Sequence, residues 1–220
     1  GKLLIDNGVS VPDVPSIAST YRANTSAGFS IVTGSGNSGS VAHGLNAKPS
    51  LVIVKQRSSP AVSWAVAHSG LGSMEDNILF LDNPNSNVNQ SDFWGTSDFN
   101  SSIFPISSNI TTSGATFVAY LWSEVAGYSK FSSFEGNGGE IFIHTGFKPE
   151  MLIIKQTDGG NNSSHWYSFD TERSSYLLPS SDASEPSSDF TNHELLSNGF
   201  YLNTSNAAVN GNGNSYIFAA

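Results

Sequence analysis

Trp94 lies in the stretch Ser91-Asp92-Phe93-Trp94-Gly95-Thr96-Ser97-Asp98-Phe99-Asn100, an indole set among carboxylates, hydroxyls and an amide. A sugar ring asks for that set: an aromatic face for its CH groups and fixed polar atoms for its hydroxyls. Trp94, Asp92, Asp98 and Asn100 are therefore the expected ligand-binding residues. The alternative is a loop that tucks its aromatics beneath itself. Trp64 and Trp166 sit in alternating stretches and are expected to be core anchors.

Other residues invite chemistry and withhold it. Gly34-Ser35-Gly36-Asn37-Ser38-Gly39 fits the dinucleotide fingerprint, but that mechanism needs a helix N-terminus to point amides at the pyrophosphate. Val41-Ala42-His43-Gly44 and Lys48-Pro49 follow, so a hairpin turn is expected. No G-x-S-x-G elbow and no H-E-x-x-H pair occurs. Of the histidines (His43, His68, His144, His165, His193), His43 and His144 precede Gly44-Leu45 and Gly146-Phe147, which suggests one shared turn-holding job. A glycosidase needs two carboxyl groups about 5–10 Å apart, and spacing along the chain selects no pair among Glu124, Glu135, Asp170 and Glu172. Asp82-Asn83-Pro84-Asn85-Ser86-Asn87 is rich in the oxygen ligands calcium prefers, without EF-hand spacing. Asp182, Glu185 and Asp189 form a second acidic loop. The expectation is no catalytic residue, no cofactor and no metal, with Ca2+ at these loops as the alternative.

The elements that must position such residues are written twice. Lys48-Pro49-Ser50-Leu51-Val52-Ile53-Val54-Lys55-Gln56 returns as Lys148-Pro149-Glu150-Met151-Leu152-Ile153-Ile154-Lys155-Gln156. Gly36-Asn37-Ser38-Gly39 answers to Gly136-Asn137-Gly138-Gly139, and Ser63-Trp64 to His165-Trp166. Each copy ends in an aromatic-apolar run, Phe117-Val118-Ala119-Tyr120 and Tyr216-Ile217-Phe218. The short apolar runs after the prolines read as strands buried on both faces, and the tryptophan stretches as half-buried strands. Gly- and Asn-rich clusters separate them, and helical periodicity is nearly absent. The fold class expected is all-β: two homologous tandem β-sandwich repeats, jelly-roll-like, over 28–126 and 127–220. An up-and-down barrel is the alternative. Residues 1–27, with Leu3-Leu4-Ile5 and two prolines, read as an extended N-terminal arm or linker. The arm either packs on its own domain or adds a strand to a neighbour's sheet.

Composition narrows the function classes. Charged residues are only 12% of the 220 and aromatics 11%, which excludes coiled coils and wholesale disorder. The net charge is −9, with nine scattered Lys and Arg, so no nucleic-acid footprint is present. No apolar run reaches the roughly 20 residues that span a bilayer, so no membrane insertion is expected. The chain has no cysteine, so neither disulfides nor thiolate zinc sites contribute. Gly1 in place of Met and the apolar end at Ile217-Phe218-Ala219-Ala220 suggest a piece of a longer chain.

One set of motifs resembles a known family. Tyr21-Arg22-Ala23-Asn24-Thr25-Ser26-Ala27-Gly28-Phe29-Ser30-Ile31-Val32 opens it, followed by His43-Gly44-Leu45, Lys48-Pro49 and Val52-Ile53-Val54-Lys55. Val118-Ala119-Tyr120-Leu121, Gly127-Tyr128-Ser129-Lys130-Phe131, Gly136-Asn137-Gly138, Thr145-Gly146-Phe147-Lys148-Pro149 and Leu196-Ser197-Asn198-Gly199-Phe200 complete it. In this order they resemble an uncharacterised two-repeat domain of tail-fibre and other virion proteins of tailed phages, marine ones especially. Lys155-Gln156-Thr157-Asp158 stands where family members often carry Lys-Arg-Thr-Asp. The resemblance implies a virion location and host-surface attachment, and it supplies no catalytic residues.

The reading expected is a non-enzymatic tail-fibre-type module that binds a host cell-surface glycan or protein and works as a homo-oligomer or with other virion proteins. Low charge with many serines and asparagines suits an adaptable binding surface, and repeated weak sites gain by multivalency. A structural decoration or filament subunit is the second reading, and a capsular depolymerase the third.

Overall fold

The computed structural model describes residues 14–36, 38–58, 60–158, 165–186 and 191–220. It is all-β: sixteen strands and one 3-10 turn, Ser69–Leu71, with no α-helix among the described residues. Two compact units form. The first holds residues up to Ala67 with Ser73–Asn77 and Asn89–Ser123; the second holds His68–Gly72, Ile78–Val88 and Glu124–Ala220. The division expected at 126/127 thus falls near 123, and two segments of the first half belong to the second unit. Ile78 and Leu79, which open one of these segments, are fully buried.

In the first unit β1 (Ser19–Asn24), β2 (Phe29–Ser35), β9 (Thr116–Trp122), β4 (Leu51–Gln56) and β5 (Ala65–His68) are neighbours in that order. Alternation on β2 and β9 sends Val32, Phe117, Ala119 and Leu121 inward to full burial. Val32, Ala119 and Val54 stand on one rung. A second pair, β3 (Gly39–Ala42) with β8 (Ile103–Ile106), completes the unit, and every residue of β8 is buried. Gly34 and Ser35 end β2 while Gly39 opens β3 in another sheet. The glycine-rich run therefore turns a corner between sheets rather than a hairpin, and no helix follows it. Residues 1–13 of the expected arm lie outside the described residues. Of the rest, Ser16 and Ile17 bond to Ser40 O at 2.9 and 3.0 Å, and β1 pairs antiparallel with β2 of its own unit.

In the second unit β10 (Phe131–Glu135), β16 (Ser215–Ala219), β12 (Met151–Gln156) and β13 (Trp166–Asp170) are neighbours in that order. The other sheet orders β11 (Glu140–His144), β15 (Gly199–Asn203) and β14 (His193–Leu196). Both sheets feed one core, which gathers Leu152, Ile154, Phe169, Phe200, Tyr216 and Phe218. The strands expected to be buried on both faces are antiparallel and less fully covered. Met151 is 53% exposed, and Ile53 is half-buried. β6 (Asn77–Phe80) and β7 (Val88–Asn89) are a further neighbouring pair.

Candidate functional site

Trp94, read from the sequence as a sugar platform, is 0% exposed. Its Nε1 donates to Asn77 O at 3.1 Å, and its ring meets Phe99 edge-on with centroids 5.4 Å apart. Neither face is open to stack on a ligand, which corrects the expected site: the 89–102 segment folds around its own small core, as the tucked-loop alternative had it. Asn100 is equally engaged. Its Oδ1 accepts from Ser102 N at 2.8 Å and Ile103 N at 3.0 Å. Asp92 and Asp98 stay exposed, and Asp92 N bonds to Asp76 Oδ1 at 3.0 Å. The four residues share a segment but present no common surface built on the indole.

The histidines divide by burial. His43 Nδ1 accepts from Leu45 N at 3.1 Å while Nε2 donates to Asn100 O at 3.0 Å. His68 repeats the arrangement: Nδ1 accepts from Gly70 N at 2.9 Å and Nε2 donates to Phe218 O at 3.1 Å. An N–H on one side and a carbonyl on the other fix the neutral Nε2–H tautomer. Burial lowers both pKa values against the opposing backbone bonds, that of His68 to about 4. These are structural braces. His144, expected to share the turn of His43, is exposed on β11. Thr145 takes that place instead: its Oγ1 accepts from Phe147 N at 3.4 Å and donates to Phe147 O at 2.6 Å. Gly44 and Gly146 follow with φ of +70 and +88, a left-handed turn that only glycine adopts without strain.

Of the four candidate carboxylates, Glu135 and Glu172 are exposed, and Glu124 and Asp170 are engaged by neighbouring groups. Glu124 pairs with Lys130 at 2.9 Å, and Asp170 Oδ1 accepts from Glu172 N and Arg173 N at 3.0 Å. At the proposed calcium loop, Asn83 Oδ1 accepts from Asn85 N at 3.0 Å and Pro84 O faces Lys155 Nζ at 3.3 Å. The cation that meets this loop is an ammonium. Arg173 Nε approaches Glu185 at 3.8 Å in the second acidic loop, whose Asp189 lies outside the described residues. Among the described residues no three His, Asp or Glu gather as metal ligands.

An open aromatic surface lies on the outer face of the first unit's larger sheet. Directly opposed residues share a face, so the register reads off two rungs: Asn24–Phe29–Trp122–Leu51 and Arg22–Ile31–Tyr120–Ile53. Phe29 and Trp122 lie 4.9 Å apart between centroids, and Tyr120 stacks on Trp122 at 6.5 Å. Ile31 is 37% exposed, and Phe29, Tyr120, Trp122 and Ile53 are half-buried. Next along the face, Lys55 Nζ hangs 5.5 Å from the centre of the Trp64 ring and donates to Val62 O. At the far end opens a shallow hollow of about 450 Å3, where Arg57 meets Thr20, Thr33, Ser35 and Thr116. Aromatic carbon followed by hydroxyls and cations is what a glycan surface requires.

Sequence reasoning passed over Trp122, Tyr120, Phe29 and Ile31. The signal lay in Thr116-Phe117-Val118-Ala119-Tyr120-Leu121-Trp122, where both alternating sets are apolar and one set is aromatic.

The second unit has an open face of another kind, on β11, β15 and β14. Phe142 is 44% exposed and lies over Gly199, where an added Cβ would stand 2.7 Å from its ring. Tyr201, opposite Phe142, donates its hydroxyl hydrogen bond to Glu140. Desolvation, that bond and the charges of Glu140 and Glu194 raise the phenol's pKa.

Fold and surface together define an all-β protein that offers an open aromatic sheet face. The chain belongs to the family DUF7483, a domain of unknown function, matching it over residues 6–220. No curated protein and no solved structure matches it.

Proposed function

We propose that the chain is a non-catalytic attachment module of a tailed-phage virion. In this reading two homologous sandwich units of jelly-roll type present the first unit's aromatic face to a host-surface glycan. The observation that carries the binding role is the Phe29, Trp122 and Tyr120 row, which stays partly open on a sheet whose inward residues Val32, Ala119, Leu121 and Val54 are fully buried. The virion location is supported by the motif set running from Tyr21 to Phe200. Duplication is supported by strand order: β2-β9-β4-β5 in one unit answers to β10-β16-β12-β13 in the other, and β3-β8 to β11-β15. Equivalent chemistry recurs at equivalent places. Lys55 lies over Trp64, and Lys155 is the cross-strand partner of Trp166. Fibres present many copies, so modest affinity per site suffices.

A glycan array tests the reading: the chain binds at least one glycan, and Trp122→Ala weakens that binding about tenfold while the protein stays folded. Full binding by the variant overturns it. A second reading, a filament subunit, is favoured by the open faces of opposite charge, Arg22 and Lys55 on one and Glu140 and Glu194 on the other. Sedimentation showing salt-sensitive chains of copies would support it.

A further inference from the structure

We infer that the ligand of the first unit's outer face is an acidic polysaccharide, one whose sugars carry carboxylate or sulfate groups. This rests on the glycan reading above and names its chemical class. The chain carries 18 Asp and Glu against nine Lys and Arg, so an average patch of its surface is acidic. This face runs the other way. Arg22 on β1 stands at one edge of the aromatic row, Lys55 on β4 at the other, and Arg57 follows just beyond. No Asp or Glu occupies an outward position of β1, β2, β9 or β4. Among the described residues no carboxylate forms an ion pair with Arg22 or Arg57.

Geometry adds to charge. β1 and β4 are separated by three inter-strand steps of about 4.8 Å each. Sugar rings lying across the strands therefore have aromatic carbon beneath them and a cation at each flank. The hollow behind Arg57 adds hydroxyl residues for the remaining ring oxygens. The second unit shows the same pair of groups already supplied with oxygen. Lys155 Nζ lies 3.3 Å from Pro84 O, and Trp166 Nε1 donates to Phe80 O at 2.8 Å. Lys55 Nζ likewise has a backbone carbonyl, that of Val62, so the flanking Arg22 and Arg57 are the groups that carboxylate or sulfate oxygens of the polysaccharide meet.

An array of neutral, uronate-bearing and sulfate-bearing glycans tests this, read at low and high salt. Acid-bearing glycans are expected to bind at least tenfold more tightly than neutral ones, with the advantage shrinking at high salt. The exposed double variant Arg22→Gln/Arg57→Gln is expected to lose about tenfold on acidic glycans and little on neutral ones. Equal binding of neutral and acidic glycans overturns the inference and leaves the glycan reading intact. Binding to no glycan overturns both. Acidic binding that the double variant retains in full overturns the inference by placing the site elsewhere. Self-association that the double variant abolishes also overturns it, by making this face an interface between copies.

Discussion

The first unit's β2-β9-β4-β5 and the second unit's β10-β16-β12-β13 are ordered alike, and the two units leave different faces open. In the first, the outer face of the larger sheet presents Tyr120 between Ile31 and Ile53. At the corresponding register of the second stands Ala219, between Phe131 and Ile153. There part of the outer face is covered: Phe131, Ile217, Trp166 and Lys155 are all buried, while Met151 at the start of β12 is open. His68–Gly72 and Ile78–Val88 do the covering. An added Cβ on Gly70 would meet Ser132 O at 2.9 Å, and Phe80 and Pro84 supply carbonyls to Trp166 and Lys155. Burial pushes the Lys155 ammonium down to about 8, whereas Lys55 remains over Trp64 at a partly open surface. A Lys–Trp pair is thus structural or available for binding according to what lies over it, and its own sequence does not say which.

That contrast can be broken most severely at the tryptophans. Trp166→Ala removes a buried ring and its bond to Phe80 O, and is expected to destabilise the second unit by about 3–5 kcal/mol in denaturant unfolding. Trp64→Ala, at the half-buried equivalent, is expected to cost about 1 kcal/mol. Equal costs would remove the distinction between covered and open faces.

The next effect is pH-dependent. His68 has a depressed pKa in the folded chain, so between about 4 and the ordinary value near 6.5 the unfolded chain binds the extra proton. Its contribution is fully present above pH 6.5 and is lost as the pH falls toward 4, by about 3 kcal/mol. Unfolding followed between pH 7 and 4 should show that loss, and His68→Gln should flatten it. Trp122→Ala follows, weakening glycan affinity by about 1–2 kcal/mol and, through its lost contacts with Phe29 and Tyr120, costing about 1 kcal/mol of stability as at Trp64. The smallest effect belongs to Phe142→Ala on the second unit's acidic face, expected to shift stability by less than about 0.5 kcal/mol and glycan affinity not at all.

Much of the scaffold was legible in the residues. The apolar runs after Pro49 and Pro149 start β4 and β12 at Leu51 and Met151, and the Asn210–Asn214 cluster falls between β15 and β16. Which face each sheet leaves open was not legible, because burial of Ile78 and Leu79 in the second unit is a long-range choice that no local pattern encodes. The same limit explains Trp94. Its polar neighbours suggested a surface, yet Asn100 spends its side chain on turn amides and the indole finds Asn77 O inside. Trp122 is hidden for the opposite reason: apolar residues on both sides of β9 give no polar alternation to mark which side is open.

In the proposed function the first unit's outer sheet face takes the glycan. The four tryptophans, Trp64, Trp94, Trp122 and Trp166, offer one reporter on that face, one beside it and two in the interior. Labelled with fluorotryptophan and titrated with the tightest array glycan, the Trp122 resonance should move, Trp64 should move less, and Trp94 and Trp166 should stay where they are. Movement of Trp94 with Trp122 unchanged would contradict the account and return the site to the 89–102 segment.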